Sequence, residues 1–278
     1  MLYHYSPTVA GAVIFCILFL GSTGLHVYQM ARTKTWYMTA FCIGSLLEFI
    51  GFAARAASGR EKYGEWTLGP YIIQTLFILL APAFLAASIY MILGRVILLT
   101  DGESHSLVKR RWLTKAFVTG DVLSFLLQGT GGGLMSSGSS NADAVNMAQN
   151  IVIGGLVVQL VFFGFFIIVS ALFHRRMSLV PTARSQHPDI KWQQYLSSLY
   201  FISTLIMVRS IMRVIEYGQG FSGYIMTHEA FIYIFDALPM FVAVAWLNWK
   251  HPSAIGVLLR KFESSEGHLP LQQTVSTV

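Results

Sequence analysis

The residues of this chain best placed to do chemistry are charged side chains embedded in apolar stretches. Glu48 and Arg55 lie seven positions apart inside an otherwise apolar segment running from position 36 to 57. Seven residues make close to two helical turns, so both side chains point to one side of a helix. They stand roughly 10 Å apart along its axis, too far to touch. A charge in hydrocarbon costs at least ~2.5 kcal/mol, so each must face protein or trapped water, with Arg209, Glu216 and Asp236 as the partners nearest in depth. The same spacing returns in Asp121 with Gln128 and in Glu229 with Asp236. Arg209, Arg213 and Glu216 follow at i, i+4 and i+7, which is one helix face. Gln74 and Gln159 complete the set. One polar stripe per helix is the pattern expected when stripes converge on a shared interior. Interhelical hydrogen bonds, worth ~0.6 kcal/mol each, account for any single member. The whole set holds three arginines against the five carboxylates Glu48, Asp121, Glu216, Glu229 and Asp236. An excess of two acids calls for a protonated carboxyl or a bound cationic group.

Other chemistries are poorly supplied. Of the eight histidines only His26 sits in a helix body, and no His-x3-His or Glu-x-x-His pair offers zinc or di-iron ligands. There is no G-x-S-x-G elbow, P-loop or dinucleotide fingerprint, so an enzyme is not expected. No metal and no cofactor is required, although haem ligation by one His or Met stays open at this stage. Cys16 and Cys42 both lie in apolar segments and suggest neither a disulfide framework nor a metal site.

The elements that must position these side chains follow from composition. The chain is 54% hydrophobic and 12% charged with mean hydropathy +0.58, about half the charged fraction of a soluble domain. This is the profile of an all-α integral membrane protein. Seven stretches are long enough to span: Thr8–Gln29, Trp36–Ala57, Tyr71–Leu99, Trp112–Met135, Met147–Phe173, Tyr195–Tyr217 and Ala230–Trp249. Pro82 and Pro239 predict a kink or tilt in the third and seventh. Alternate loops carry twelve Lys and Arg residues on one side and only Arg60 and Lys62 on the other. That asymmetry places the N-terminus outside and the C-terminus in the cytoplasm. It also explains the +6 net charge without nucleic acid. Given these directions, most of the polar set falls in the outer half of the bundle, implying a pocket open to the outside or the outer leaflet.

Residues 129–144, rich in Gly and Ser, predict an extracellular loop. The domain plan is a membrane domain over 1–250 and a polar, mobile cytoplasmic tail over 251–278. The tail ends in Ser276-Thr277-Val278, which fits a carboxylate-capture motif. A 3+1+3 internal repeat is suggested by Pro-x-Phe-x-Ala at Pro82 and Pro239, by Gly11/Gly21 against Gly154/Gly164, and by the reversed Glu48/Arg55 and Arg209/Glu216 pairs.

A seven-helix receptor would share this topology, but the Asp/Glu-Arg-Tyr and N-P-x-x-Y runs of the rhodopsin-like class are missing. The motifs instead resemble the fungal lipid-translocating exporter family, the RTA-like proteins. The resemblance rests on EFIGFAAR (48–55), LLAPAFLAASIYMILGR (79–95), FVTGDVLSFLLQGTGGG (117–133), GGLVVQ (154–159), RSIMRVIEYGQG (209–220) and EAFIYIFDALPM (229–240). The family usually has Tyr where this chain has Phe52, which leaves the charged pair intact. The resemblance implies a fungal plasma-membrane protein, with another endomembrane as the alternative site. Its ligands would be amphipathic lipids of sphingoid-base or sterol type, with porphyrin uptake also known in the family. The head-group site is expected from Glu48, Arg55, Asp121, Gln128, Gln159, Arg209, Arg213, Glu216 and Asp236. A receptor-like sensor of lipid or stress is the alternative, with a cytoplasmic partner on the basic loops at 109–111 and 175–191. A homo-oligomer is compatible with either.

Overall fold

The computed structural model describes residues 5, 7–62, 65–136, 142–220 and 223–266. Among these there is no strand. The long helices are α1 (Val9–Thr33), α2 (Thr39–Ser58, after a single 3-10 turn), α3 (Leu68–Leu99), α4 (Arg110–Ser136), α5 (Ala142–Leu179) and α6 (Trp192–Gly218). A one-turn α7 (Tyr224–Thr227) and a π-helical segment, Ile232–Ala237, lead into α8 (Leu238–Trp249), and α9 (Ser253–Glu266) follows. Six stretches are long and apolar enough to cross a bilayer: Val9–Thr33, Trp36–Ser58, Leu68–Leu99, Asp143–Leu179, Trp192–Gly218 and Ile232–Trp249. The chain is a multi-pass membrane protein. α4 has the length but not the hydropathy, because Arg110, Arg111, Lys115, Asp121 and a run of glycines interrupt it. α5, with 38 residues, is about 57 Å long and outreaches a ~30 Å hydrocarbon core.

Outward-facing Ile17, Val122, Val161 and Ile168 form the apolar belt that lipid would cover, while the interior is aromatic. Phe15, Phe19 and Phe52 pack with Tyr233 and Phe241 between α1, α2 and the Ile232–Trp249 span. Tyr90 packs among Phe117, Phe163 and Phe166 between α3, α4 and α5. Lipid tails are as apolar as Leu, so membrane helices associate through close backbone approach and polar contacts instead. Gly51 on α2 is so close to α3 that a Cβ there would lie 2.6 Å from Ile78. Gly131 and Gly155 do the same for α4 and α5, each bringing the other helix's backbone within 3 Å of a hypothetical Cβ.

That packing corrects the sequence reading of 129–144. Residues 129–136 continue α4, and α5 begins at Ala142, leaving 137–141 outside the described residues. Gly131 is a helix-interface residue here, and Gly129, Gly132 and Gly133 leave open space beside the same helix rather than forming a loop. The tail is corrected as well. Residues 253–266 form a helix that buries Ile255 and Leu259 against the bundle and donates from Arg260 to the Thr33 carbonyl at 3.2 Å. Its apolar positions follow a 3.6-residue period that a glance at its polarity conceals. The terminal Ser-Thr-Val lies outside the described residues. In the Ile232–Trp249 span, Pro239 lacks an N–H and its ring crowds the carbonyl four residues back, so the preceding turn widens into the π-helical segment that carries Asp236. Pro82, by contrast, sits within an uninterrupted α3.

Candidate functional site

The polar side chains resolve into four groups and one isolated member. The first joins Tyr5 and Thr8, α2 and the approach to the Ile232–Trp249 span. Arg55 is buried and donates through Nη2 to Glu229 at 2.7 Å and to the Tyr5 hydroxyl at 3.0 Å, and through Nε to the Tyr233 hydroxyl at 3.2 Å. Tyr233 donates in turn to Glu229 at 3.1 Å, and its ring lies 5.4 Å from the guanidinium carbon. Glu229 also receives the Thr8 amide at 2.8 Å and the Thr8 hydroxyl at 2.5 Å. Burial acts to raise the Glu229 pKa, but the Thr8 donors and Arg55 outweigh it and hold the carboxyl below its usual 4.5.

The second group is the Asp236 clamp. Arg209 donates from Nε and Arg213 from Nη2 to the two oxygens of Asp236. Arg209 also reaches the Ile78 carbonyl at 2.7 Å, while Arg213 bonds Glu216 at 3.1 Å. One acid on the π-helical segment thereby ties the Ile232–Trp249 span to α6, and Arg209 ties both to α3.

The third group lies apart: Tyr90 donates to Asp121 at 3.0 Å inside the aromatic cluster. In the fourth, Gln128 donates to Ser124 at 2.6 Å and to Gln159 at 3.3 Å, and Ser124 donates to the Gly155 carbonyl at 2.6 Å. The isolated member is Glu48, fully buried with no hydrogen-bond partner for either oxygen among the described residues.

A cavity of about 680 Å³ opens at the end of the bundle opposite the basic loops. It is bounded by the end of α2, the start of α3, the end of α4, the first turns of α5, the end of α6 and the approach to the Ile232–Trp249 span. Arg55, Gln128, Arg209, Arg213, Glu216 and Asp236 form its polar wall. Ile72, Leu76, Leu79, Phe231 and Phe235 give it an apolar one. Of the nine expected site residues these six are brought together. Glu48 is buried away from the cavity surface, and Asp121 and Gln159 face other helices. Sequence reasoning left Glu229, Tyr233 and Tyr5 out of the site and assigned no role in it to Tyr90. Tyr233, four residues after Glu229 and on its face, carried a usable signal, whereas nothing in its neighbours marked Tyr5.

At the opposite end, side chains tie the helices together through backbone carbonyls. Tyr37 donates to the Pro252 carbonyl at 2.6 Å, and Gln29 donates to the Asn248 carbonyl at 3.0 Å. His26 Nε2 stands 3.0 Å from the Val244 carbonyl. The Arg95 guanidinium lies 4.1 Å over the Tyr37 ring. Leu93, Ile97, Leu196 and Val244 fill the space between.

Residues 41–257 match the family described as RTA1 like protein. Protein RTM1 of Saccharomyces cerevisiae is 42% identical, the match covering 87% of this chain and 88% of that one. Protoporphyrin uptake protein 1 of the same yeast is 37% identical over 88% and 89% of the two chains. Its sphingoid long-chain base transporter RSB1 is 23% identical over 82% and 67%. No solved structure matches the chain. With more than three quarters of its length inside the family match, the chain belongs to the RTA1-like proteins.

Proposed function

We propose that this protein is a carrier of amphipathic lipids, holding the polar head group in the cavity and the hydrocarbon tail along its apolar wall. The carrying observation is a single cavity wall of paired ions and amide facing a wall of aliphatic and aromatic side chains. An amphipath requires that juxtaposition, and a membrane gives it access. The sphingoid long-chain base transporter among the relatives supports the lipid class. In this reading α4 is a seventh span whose polar face is covered by α5 and α3, with the N-terminus outside by the Lys and Arg asymmetry. The cavity then faces the outer leaflet, in the plasma membrane or another endomembrane. Catalysis has no part in the reading. Arg55, Gln128, Arg209, Arg213, Glu216 and Asp236 contact the head group, while Asp121 and Gln159 hold helices together. Liposomes containing the purified protein should move a fluorescent long-chain base faster than empty liposomes, and equal rates would refute the reading.

A tetrapyrrole ligand is the second reading, favoured by the 37% identity to a protein named for protoporphyrin uptake and by Tyr71, Tyr217, Phe231 and Phe235 around the cavity. Titration with protoporphyrin should then give a shifted, saturable Soret band. An unshifted spectrum would eliminate it.

A further inference from the structure

Among the described residues, Glu48 is the acid of the polar interior left without a hydrogen-bond partner. It lies on α2 at complete burial, both carboxyl oxygens unbonded among the described residues. An ionised carboxylate in that position would forfeit all its hydration with nothing in return, and such groups neutralise instead. Its surroundings are nevertheless charged. One turn further along α2, Gly51 touches Ile78, and the Ile78 carbonyl receives Arg209. Asp236 of the π-helical segment and Arg209 and Arg213 of α6 are the charges that act on it. The other helices packed along α2 contribute Cys16, His26, Tyr28 and Arg32 from α1, and Tyr71, Tyr90 and Arg95 from α3, none within hydrogen-bonding distance of the carboxyl.

Charge counting gives this arrangement a consequence. Arg209 and Arg213 are balanced by Asp236 and Glu216, so the clamp is neutral while Glu48 holds a proton. A cationic head group entering beside the clamp adds one positive charge. Loss of the Glu48 proton restores neutrality, and the new carboxylate competes with Asp236 for Arg209 and Arg213, freeing Asp236 to face the cation. We infer that Glu48 is a proton-exchange site, protonated when the cavity is empty and giving its proton to water when an organic cation binds. Asp236 lines the cavity and its charge acts on Glu48, which provides the connection. The exchange is electroneutral: one cation enters, one proton leaves, and no bond other than Glu48 O–H breaks. It would let a proton gradient drive a lipid amine. The inference rests on the head-group reading of the cavity and extends it.

The test uses the purified full-length protein in weakly buffered detergent with a pH-indicator dye. The probe is a single-chain quaternary ammonium amphiphile, which has no proton of its own to release. Wild-type protein should release about one proton per probe bound at saturation. The E48Q variant should bind with no release, and the D121N variant, which alters the other excess acid, should release as wild type does. In the wild type the infrared C=O band of a protonated carboxyl should fall as probe is added, a readout that stands even if E48Q fails to fold. Binding without proton release, or release that survives E48Q, overturns the inference and leaves the head-group reading intact. Failure of wild-type protein to bind either this probe or a long-chain base refutes the head-group reading itself.

Discussion

The two ends of this helix bundle handle polar groups in opposite ways. At the cavity end, charges meet charges around open space: Arg55 with Glu229, and Asp236 with both Arg209 and Arg213. At the basic end, the side chains of Tyr37, Gln29 and His26 pair with backbone carbonyls, and α9 closes over them. Ion pairs between side chains can re-form with other partners. Side-chain contacts to backbone carbonyls and a docked helix act more like a latch. On the proposed carrier reading, the molecule is open at one end and the basic end has to loosen for cargo to pass.

The comparison can be broken most forcefully at Asp236. Replacing it by Ala strands Arg209 and Arg213 and should destabilise the protein by about 3–5 kcal/mol, read as a lowered denaturation midpoint in detergent. E229A removes the ionic partner of Arg55 and the acceptor for Thr8, and should cost about 1.5–3 kcal/mol in the same assay. At the basic end, Y37F loses one hydrogen bond to Pro252, worth about 1 kcal/mol. Its expected signature is local: faster amide exchange in residues 253–266 with lipid binding unchanged. Exchange equally accelerated at the cavity end would deny that the two ends are separate.

The smallest effect is pH-dependent and separates the ends by pH window, both contributions being lost as pH falls. His251, beside α9, is held below the usual 6.5 by burial, with neither ring nitrogen bonded among the described residues. A base with a depressed pKa contributes stability that is complete above its unfolded value and lost as pH falls below it. Glu229, also depressed, contributes stability that is complete above 4.5 and lost as pH falls through its folded value. Between pH 6.5 and 5, exchange should therefore quicken around α9 while the Arg55–Glu229 site stays protected. Loosening at the cavity end first would contradict this assignment.

The helices were legible in the chain because continuous apolar runs have one solution in lipid, all backbone bonds satisfied within the helix. The seven-residue spacings also told correctly that the polar stripes face inward. Acid excess was legible as a count, but not which acids were in excess. Asp121 and Glu48 are the two, and telling them from Asp236 requires knowing that Pro239 opens a π turn and aims Asp236 at α6. The glycines of α4 misled because composition does not distinguish a flexible loop from a surface made smooth for a neighbouring helix. The α9 helix was hidden for a related reason, its few apolar residues meaning nothing until their period is set against an uncovered face of the bundle.

The claim that the cavity seats a lipid head group is most directly tested at Thr75, on its wall. With Cys16 and Cys42 replaced, T75C should react readily with a membrane-impermeant thiol reagent, and a saturating long-chain base should slow that reaction at least several-fold. Undiminished labelling at saturating base would contradict the account.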